Sequence, residues 1–299
     1  MLKNDWQLYV FLILPFIFEL IFEYAPMAGL YMAFSNYNPR DGIFGSRWVG
    51  LNNLIRFINT YQFKQVVSNT LILSLMGMFW NTILPIFFAL TMHVIERPRF
   101  KKVTQTICNM PHFISMVVLV GMMKQIFGSR AGLYGSIYLK LFGEYPSDLF
   151  GQLNAFRPMY LWSGVWQNLG WKSIIYTAAL AGVDLHLHEA AEIDGASRLQ
   201  RIWHIDLAHI KPTIIMLTIM SAGSIMNIGF QKAYLMQNPL NLEKSELIST
   251  YVYRVGLSGQ ERSDFSYATA IGLFNSVVNW ILLLITNFIS RKLSGTSLF

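Results

Sequence analysis

Six apolar stretches dominate the pattern of hydrophobic and polar positions, at about 8–34, 67–94, 105–127, 159–181, 212–231 and 266–290. A bilayer's hydrocarbon core is about 30 Å thick, and a helix needs roughly 20 mostly apolar residues to cross it with every backbone group paired internally. All six stretches reach that length. The pattern therefore predicts an all-α integral membrane protein, a single domain over 1–299 with six transmembrane helices. The first stretch follows a short head carrying Lys3, and no small-residue cleavage site follows it, so it reads as a retained helix rather than a signal peptide. An even number of spans places both termini on one side.

Charge sets the orientation. Lys3, Arg97, Arg99, Lys101, Lys102, Arg198, Arg201, Lys211, Arg291 and Lys292 fall on the side of the termini. They crowd into shorter segments than the basic residues of the opposite side, and the ERPRFKK turn between spans two and three is the densest cluster. Because the positive-inside rule weighs short loops near span ends most, the termini are expected in the cytoplasm. Only 13% of the residues are charged, against roughly 25% in soluble chains. The net charge of +7 is scattered without a basic run, which argues against a nucleic-acid partner. The single cysteine, Cys108, allows neither an intrachain disulfide nor a cysteine-based metal site.

The segment 182–211 is the longest cytoplasmic loop, DLHLHEAAEIDGASRLQRIWHIDLAHIKP over most of its length, and reads as two short helices broken at Gly195. HLHEAAE superficially suggests a zinc-protease helix, but Glu192 stands where the second histidine should be, four residues after His188. His186 and His188 are therefore expected to be plain loop residues. Asp184, Asp194 and Asp206 are expected to meet a partner protein. No paired carboxylates or Ser/His arrangement marks a catalytic centre, and no metal ligand set or catalytic residue is assigned.

The string EAAEIDGA at 189–196, followed by Ile205, Leu207 and Pro212, resembles the EAA loop of permease subunits in binding-protein-dependent ABC sugar importers. Further stretches carry the likeness toward the oligosaccharide and polysaccharide branch: SRWVGLNN at 46–53, QTICNMPHFISMVV at 105–118, GWKSIIYTAALAG at 170–182, GFQKAYLMQNP at 229–239, TYVYRVGL at 250–257 and ATAIGLFNSVVN at 268–279. The resemblance implies the type I ABC importer permease fold of the maltose type, in a bacterial cytoplasmic membrane. It implies that Glu189, Ala190, Ala191, Asp194, Gly195, Ile205 and Leu207 carry coupling to a separate ATPase: Glu189 by polar contact, Gly195 by its turn, Asp194 by capping the second short helix. Ala208 stands where the family usually has proline, so a slightly different helix angle is expected. The implied partners are a second permease subunit forming a heterodimer, two ATPase subunits holding ATP and Mg, and an extracytoplasmic sugar-binding protein. No cofactor is expected in this chain, which is not expected to be an enzyme. The absence of any Gly-Lys pair, and so of a P-loop, fits that division of labour. A secondary transporter or channel is the alternative.

Polar residues inside spans need partners, because a mid-membrane charge costs roughly 2.5–3.5 kcal/mol on insertion scales. Glu19 and Glu23 sit one turn apart on span one, and Lys172 near the middle of span four is expected to face them, either as glue between helices or for proton coupling. Sugars are recognised by aromatic faces and by amide or hydroxyl groups in mostly apolar pockets. Asn168, Trp171, Ser221, Ser224, Asn227, Asn275 and Asn279 are the candidates for the translocation path, with helix packing as the other reading for each.

Overall fold

A computed structural model of the chain describes residues 6–258 and 263–294. Lys3 and the two ends of the chain lie outside these. Helix α1 (Trp6–Glu19) runs on through a π-helical turn, Leu20–Tyr24, into the 3-10 stretch Ala25–Phe34. A two-stranded antiparallel hairpin follows, β1 (Ser35–Asn38) with β2 (Ser46–Trp48), pairing Ser35 with Trp48 and Asn36 with Arg47. Then come α2 (Asn52–Asn59), α3 (Tyr61–Val94), α4 (Pro98–Asn109), α5 (Met116–Phe127), α6 (Leu133–Phe142) and α7 (Leu153–Leu180). The remaining principal helices are α8 (Leu185–Ile193), the helical run α9 (Arg198–Ala222), α10 (Phe230–Met236), α11 (Ile248–Gly256) and α12 (Phe265–Ser294).

Contacts gather into two compact units, one of residues 1–63 and 251–276, the other of 64–250 and 277–299. In the first, Phe57 is fully buried and its ring meets those of Phe63, Tyr251, Tyr267 and Phe274. Arg56 pairs with Asp264 at 2.7 Å, and the Tyr37 amide donates to Ser266 Oγ. The aromatic-rich NYNPRDGIFGSRWVGLNN segment thus folds as a hairpin beside an aromatic core. Along α1 the large apolar side chains stand exposed, Phe11 and Leu14 at 79% each, as suits a lipid-facing or partner-facing helix.

The second unit has two apolar cores. Leu73, Leu119, Val120, Met123, Phe156, Ala233, Met236 and Leu247 join α3, α5, α7 and α10. Ala89, Tyr176, Leu180, Val183 and Ile210 join the C-terminal ends of α3 and α7 to α9. Buried Asn69 fastens the first core: its amide donates to the carbonyls of Glu243 and Glu246, and its Oδ1 accepts from Arg157. Helices α4 and α7 touch at Gly170, where an added Cβ would lie 2.3 Å from the Cys108 carbonyl oxygen.

Two of the expected spans are redrawn. The stretch 105–127 is not one helix: Pro98–Phe113 and Met116–Phe127 meet at a 100° bend. Pro111 lacks the N–H that would extend the ladder, and Ser115, in an extended conformation, starts α5 by accepting from the Val118 amide. Span five begins at Arg198 rather than 212 and ends at Ala222. The second helix of the 182–211 loop is consequently not a short separate piece but the first turn of α9, which continues through a π-helical turn, Ile202–Asp206, to Ala222. Four described helical runs are long and apolar enough to cross a bilayer, Tyr9–Phe34, Tyr61–Val94, Arg198–Ala222 and Phe265–Lys292, or five when the bent pair is one span.

Candidate functional site

Within the second unit, α3, α7 and the segment around the end of α9 enclose a cavity of about 320 Å³. Four of the expected path residues line it, Asn168, Ser221, Ser224 and Asn227. Helix α9 stops at Ala222, and residues 223–229 form turns before α10, which brings Ser224, Asn227 and Lys232 to one wall. Asn279 holds that break: it is buried, and its Oδ1 accepts from the Met226 amide at 2.8 Å. Its place is thus structural, behind the wall. Trp171 lies outside the lining and stacks on His112 with ring centroids 4.4 Å apart. Asn275 belongs to the first unit and is half-buried there.

The strongest feature of the cavity was not among the expected residues. Lys232 is only 4% exposed, its Nζ donates to the Tyr160 carbonyl at 2.7 Å and lies 4.7 Å from the Tyr160 ring centroid, and burial lowers its pKa to about 7. Lys172 lines the same cavity, and no Asp or Glu does among the described residues. Ser74 Oγ and Gln167 Oε1 are buried there without a hydrogen-bond partner among the described residues, although Gln167 donates to the Ile114 carbonyl. Buried polar atoms normally find partners, so this wall has unmet capacity on both the donor and the acceptor side. Glu19 and Glu23, the expected partners of Lys172, lie exposed on the first unit's opening helical run. GFQKAYLMQNP carries Lys232 in plain view, but a lysine just past an apolar stretch reads as an interfacial anchor until the chain's return through α10 is known.

The segment 184–207 is a second, separate arrangement. Asp184 caps α8 by accepting from the His186 amide. At the other end Gly195 adopts φ +81°, its amide donates to the Glu192 carbonyl and the Ala196 amide to the Ala191 carbonyl. These two bonds around a left-handed residue make a Schellman motif. Asp194 is the C-cap of α8 and does not cap the next helix: Ser197 does, in a capping box with Gln200. Glu189 is exposed and 3.3 Å from His186, while Arg201 pairs with Glu192 at 2.6 Å. Ala190 is exposed and Ala191 partly so, and Ile193 and Leu199 project at 86% and 79% exposure. Ile205 and Leu207 turn the other way and pack on the Tyr176–Leu180–Ile210 core, so they fasten the segment to the helices.

Two expectations for this segment are corrected. Asp206 does not face a partner protein, because it is 1% exposed and bonded to His188 at 2.9 Å. His188, in turn, is no plain loop residue but the partner of that buried carboxylate. His186 remains exposed.

Helices suited to a bilayer and a cavity lined by amides and hydroxyls fit a solute-transport subunit. The chain belongs to the family of binding-protein-dependent transport system inner membrane components, matched over residues 81–295. It is 38% identical to protein LplB of Bacillus subtilis strain 168, over all of this chain and 92% of that one. It is 37% identical to the polygalacturonan/rhamnogalacturonan transport system permease protein YteP of the same strain, with the same coverage. The fold is similar to a chain of a bacterial alginate ABC transporter crystallised with an alginate pentasaccharide-bound periplasmic protein, with TM-score 0.89, 34% identity and coverage of 99% of this chain and 98% of that one.

Proposed function

We propose that this chain is one of two permease subunits of an ATP-driven importer of acidic oligosaccharides, and that its cavity forms half of the translocation path. The observation that carries the choice of cargo is the pair Lys172 and Lys232 in a cavity wall to which no Asp or Glu contributes among the described residues. Polygalacturonan and alginate, after which two similar proteins are named, are polymers of uronic acids, whose carboxylates would supply the counter-charge the wall lacks. The amides and hydroxyls of Asn168, Ser221, Ser224 and Asn227 suit the sugar hydroxyls.

In this reading the six spans are α1 with its continuation, α3, the bent α4–α5 pair, α7, α9 and α12. Helix α7 qualifies by length, since its 28 residues rise about 42 Å. The termini are cytoplasmic. The exposed Ile193 and Leu199 beside the Gly195 turn dock against a separate ATPase, which holds the ATP and Mg, and an external binding protein delivers the sugar. Glu189, Ala190, Ala191 and Gly195 form the docking surface, and Asp194, Ile205 and Leu207 shape and anchor it.

The test is uptake by proteoliposomes holding the complete importer, offered labelled oligogalacturonate or a neutral oligosaccharide of the same length. Preference for the acidic sugar, lost in Lys232→Met, supports the reading. Equal uptake of both sugars by the unaltered importer contradicts the charge argument.

A further inference from the structure

His93, His188 and Asp206 come from three different elements of the second unit: the last turn of α3, the middle of α8 and the π-helical turn of α9. One ligand atom from each lies within 4.8 Å of the other two. Asp206 Oδ1 is 2.9 Å from His188 Nε2 and 3.7 Å from His93 Nε2. Among the described residues these imidazoles are the only hydrogen-bond or ion-pair partners of a carboxylate that is almost wholly buried. A tetrahedral ion with bonds of about 2.0–2.1 Å to nitrogen or oxygen sets its ligands roughly 3.3–3.4 Å apart. The separations of 2.9 and 3.7 Å straddle that figure.

The surroundings suit an ion with open positions. The trio borders a cavity of about 310 Å³ that also contains Glu96, Glu192, Arg198 and Arg201. Both of those glutamates are engaged, Glu192 by Arg201 at 2.6 Å and Glu96 by Arg198 at 3.3 Å. They neutralise the arginines and leave the cavity's remaining coordination to water. Two imidazoles and one carboxylate are a donor set for a first-row transition metal rather than for calcium or magnesium, which favour oxygen ligands. A π-helical turn places Asp206 here, and such turns recur at functional sites.

We propose that His93, His188 and Asp206 bind one divalent transition-metal ion of the zinc type, and that the bound ion pins α8 to α3 and α9. The pinning has a consequence for transport only on the reading that α8 couples to the ATPase. In that case the ion restrains the segment that must move with ATPase closure and slows the cycle.

The experiment uses the untagged full chain in detergent, stripped with chelator and titrated with Co²⁺ alone as a visible-absorbing probe. One equivalent should give a ligand-field spectrum that Zn²⁺ displaces. His188→Ala should weaken binding at least tenfold, and so should His93→Ala, a variant that leaves the 2.9 Å His188–Asp206 contact in place and guards against misfolding. The exposed His186→Ala should bind as the unaltered chain does. No stoichiometric spectrum, or one unchanged in both ligand variants, would overturn the site and leave the trio as a hydrogen-bonded latch. In the assembled importer, Zn²⁺ should lower sugar-stimulated ATP hydrolysis by the unaltered complex but not by His93→Ala. Binding with unchanged hydrolysis would overturn the pinning. Failure of the ATPase to assemble at all would instead count against the coupling reading itself.

Discussion

The Lys232 cavity and the α8 turn both carry polar groups, yet they leave opposite things unsatisfied. In the cavity, Lys232 is buried against a carbonyl and a ring with no carboxylate at hand, and Ser74 Oγ and Gln167 Oε1 have no partner among the described residues. At the turn most polar groups satisfy one another, through Arg201–Glu192, Arg198–Glu96 and the Ser197–Gln200 box, Arg201 Nε being the exception, while Ile193 and Leu199 stand out in the open. A wall with unmet polar capacity suits a small polar ligand. A surface with most of its polar capacity spent and with projecting apolar side chains suits a protein partner, because burial of such groups drives association.

Lys232→Met should have the largest effect on this contrast. Hydrogen bonds to charged groups contribute about 1.5–3 kcal/mol, so uptake of acidic oligosaccharide should fall roughly 10- to 100-fold, measured in proteoliposomes at fixed ATPase content. Next comes Gly195→Val. An added Cβ meets nothing within 4 Å, so the harm arises from the backbone at φ +81° and not from crowding. Left-handed conformation costs an ordinary residue roughly 1–2 kcal/mol, and a β-branched one more. Transport per ATP hydrolysed should drop about tenfold while the cavity, assayed by binding of the acidic sugar, is unchanged.

Ile193→Asp should come third, reducing recovery of the ATPase with the purified chain severalfold and leaving its helical content intact by circular dichroism. A variant that lost sugar binding as well would dissolve the distinction between the two regions. Ser197→Ala has the smallest expected effect. Loss of an N-cap costs about 1 kcal/mol, visible as faster amide exchange at the start of α9 and a modest loss of coupling.

These two regions were also unequally legible in the sequence. The turn is local: EAAEIDGA fixes the end of α8 within eight residues, and the positive φ of Gly195 follows from the residue's own freedom. Even there the neighbouring cap was misassigned, because Asp194 and Ser197 are both good capping residues, and only the Schellman bonds decide that Asp194 closes one helix while Ser197 opens the next. The cavity is non-local. Asn168 and Ser221 lie on different helices, and Lys232 reaches Tyr160 across 72 positions of sequence. Hydropathy locates the apolar stretches but cannot show that one of them bends by 100° at Pro111, or that α9 already begins at Arg198, inside a polar loop. The partnership of His188 with Asp206 was hidden for the same reason, since eighteen residues and a chain reversal separate them.

The central claim is that this permease works only as part of a split importer, and purification of the tagged chain from its native membrane tests it most directly. Mass spectrometry of the co-purifying proteins should find an ATPase, a second permease and a sugar-binding protein, with the ATPase depleted in Gly195→Val. A stable chain recovered alone, and transporting sugar in liposomes without an ATPase, would contradict the account.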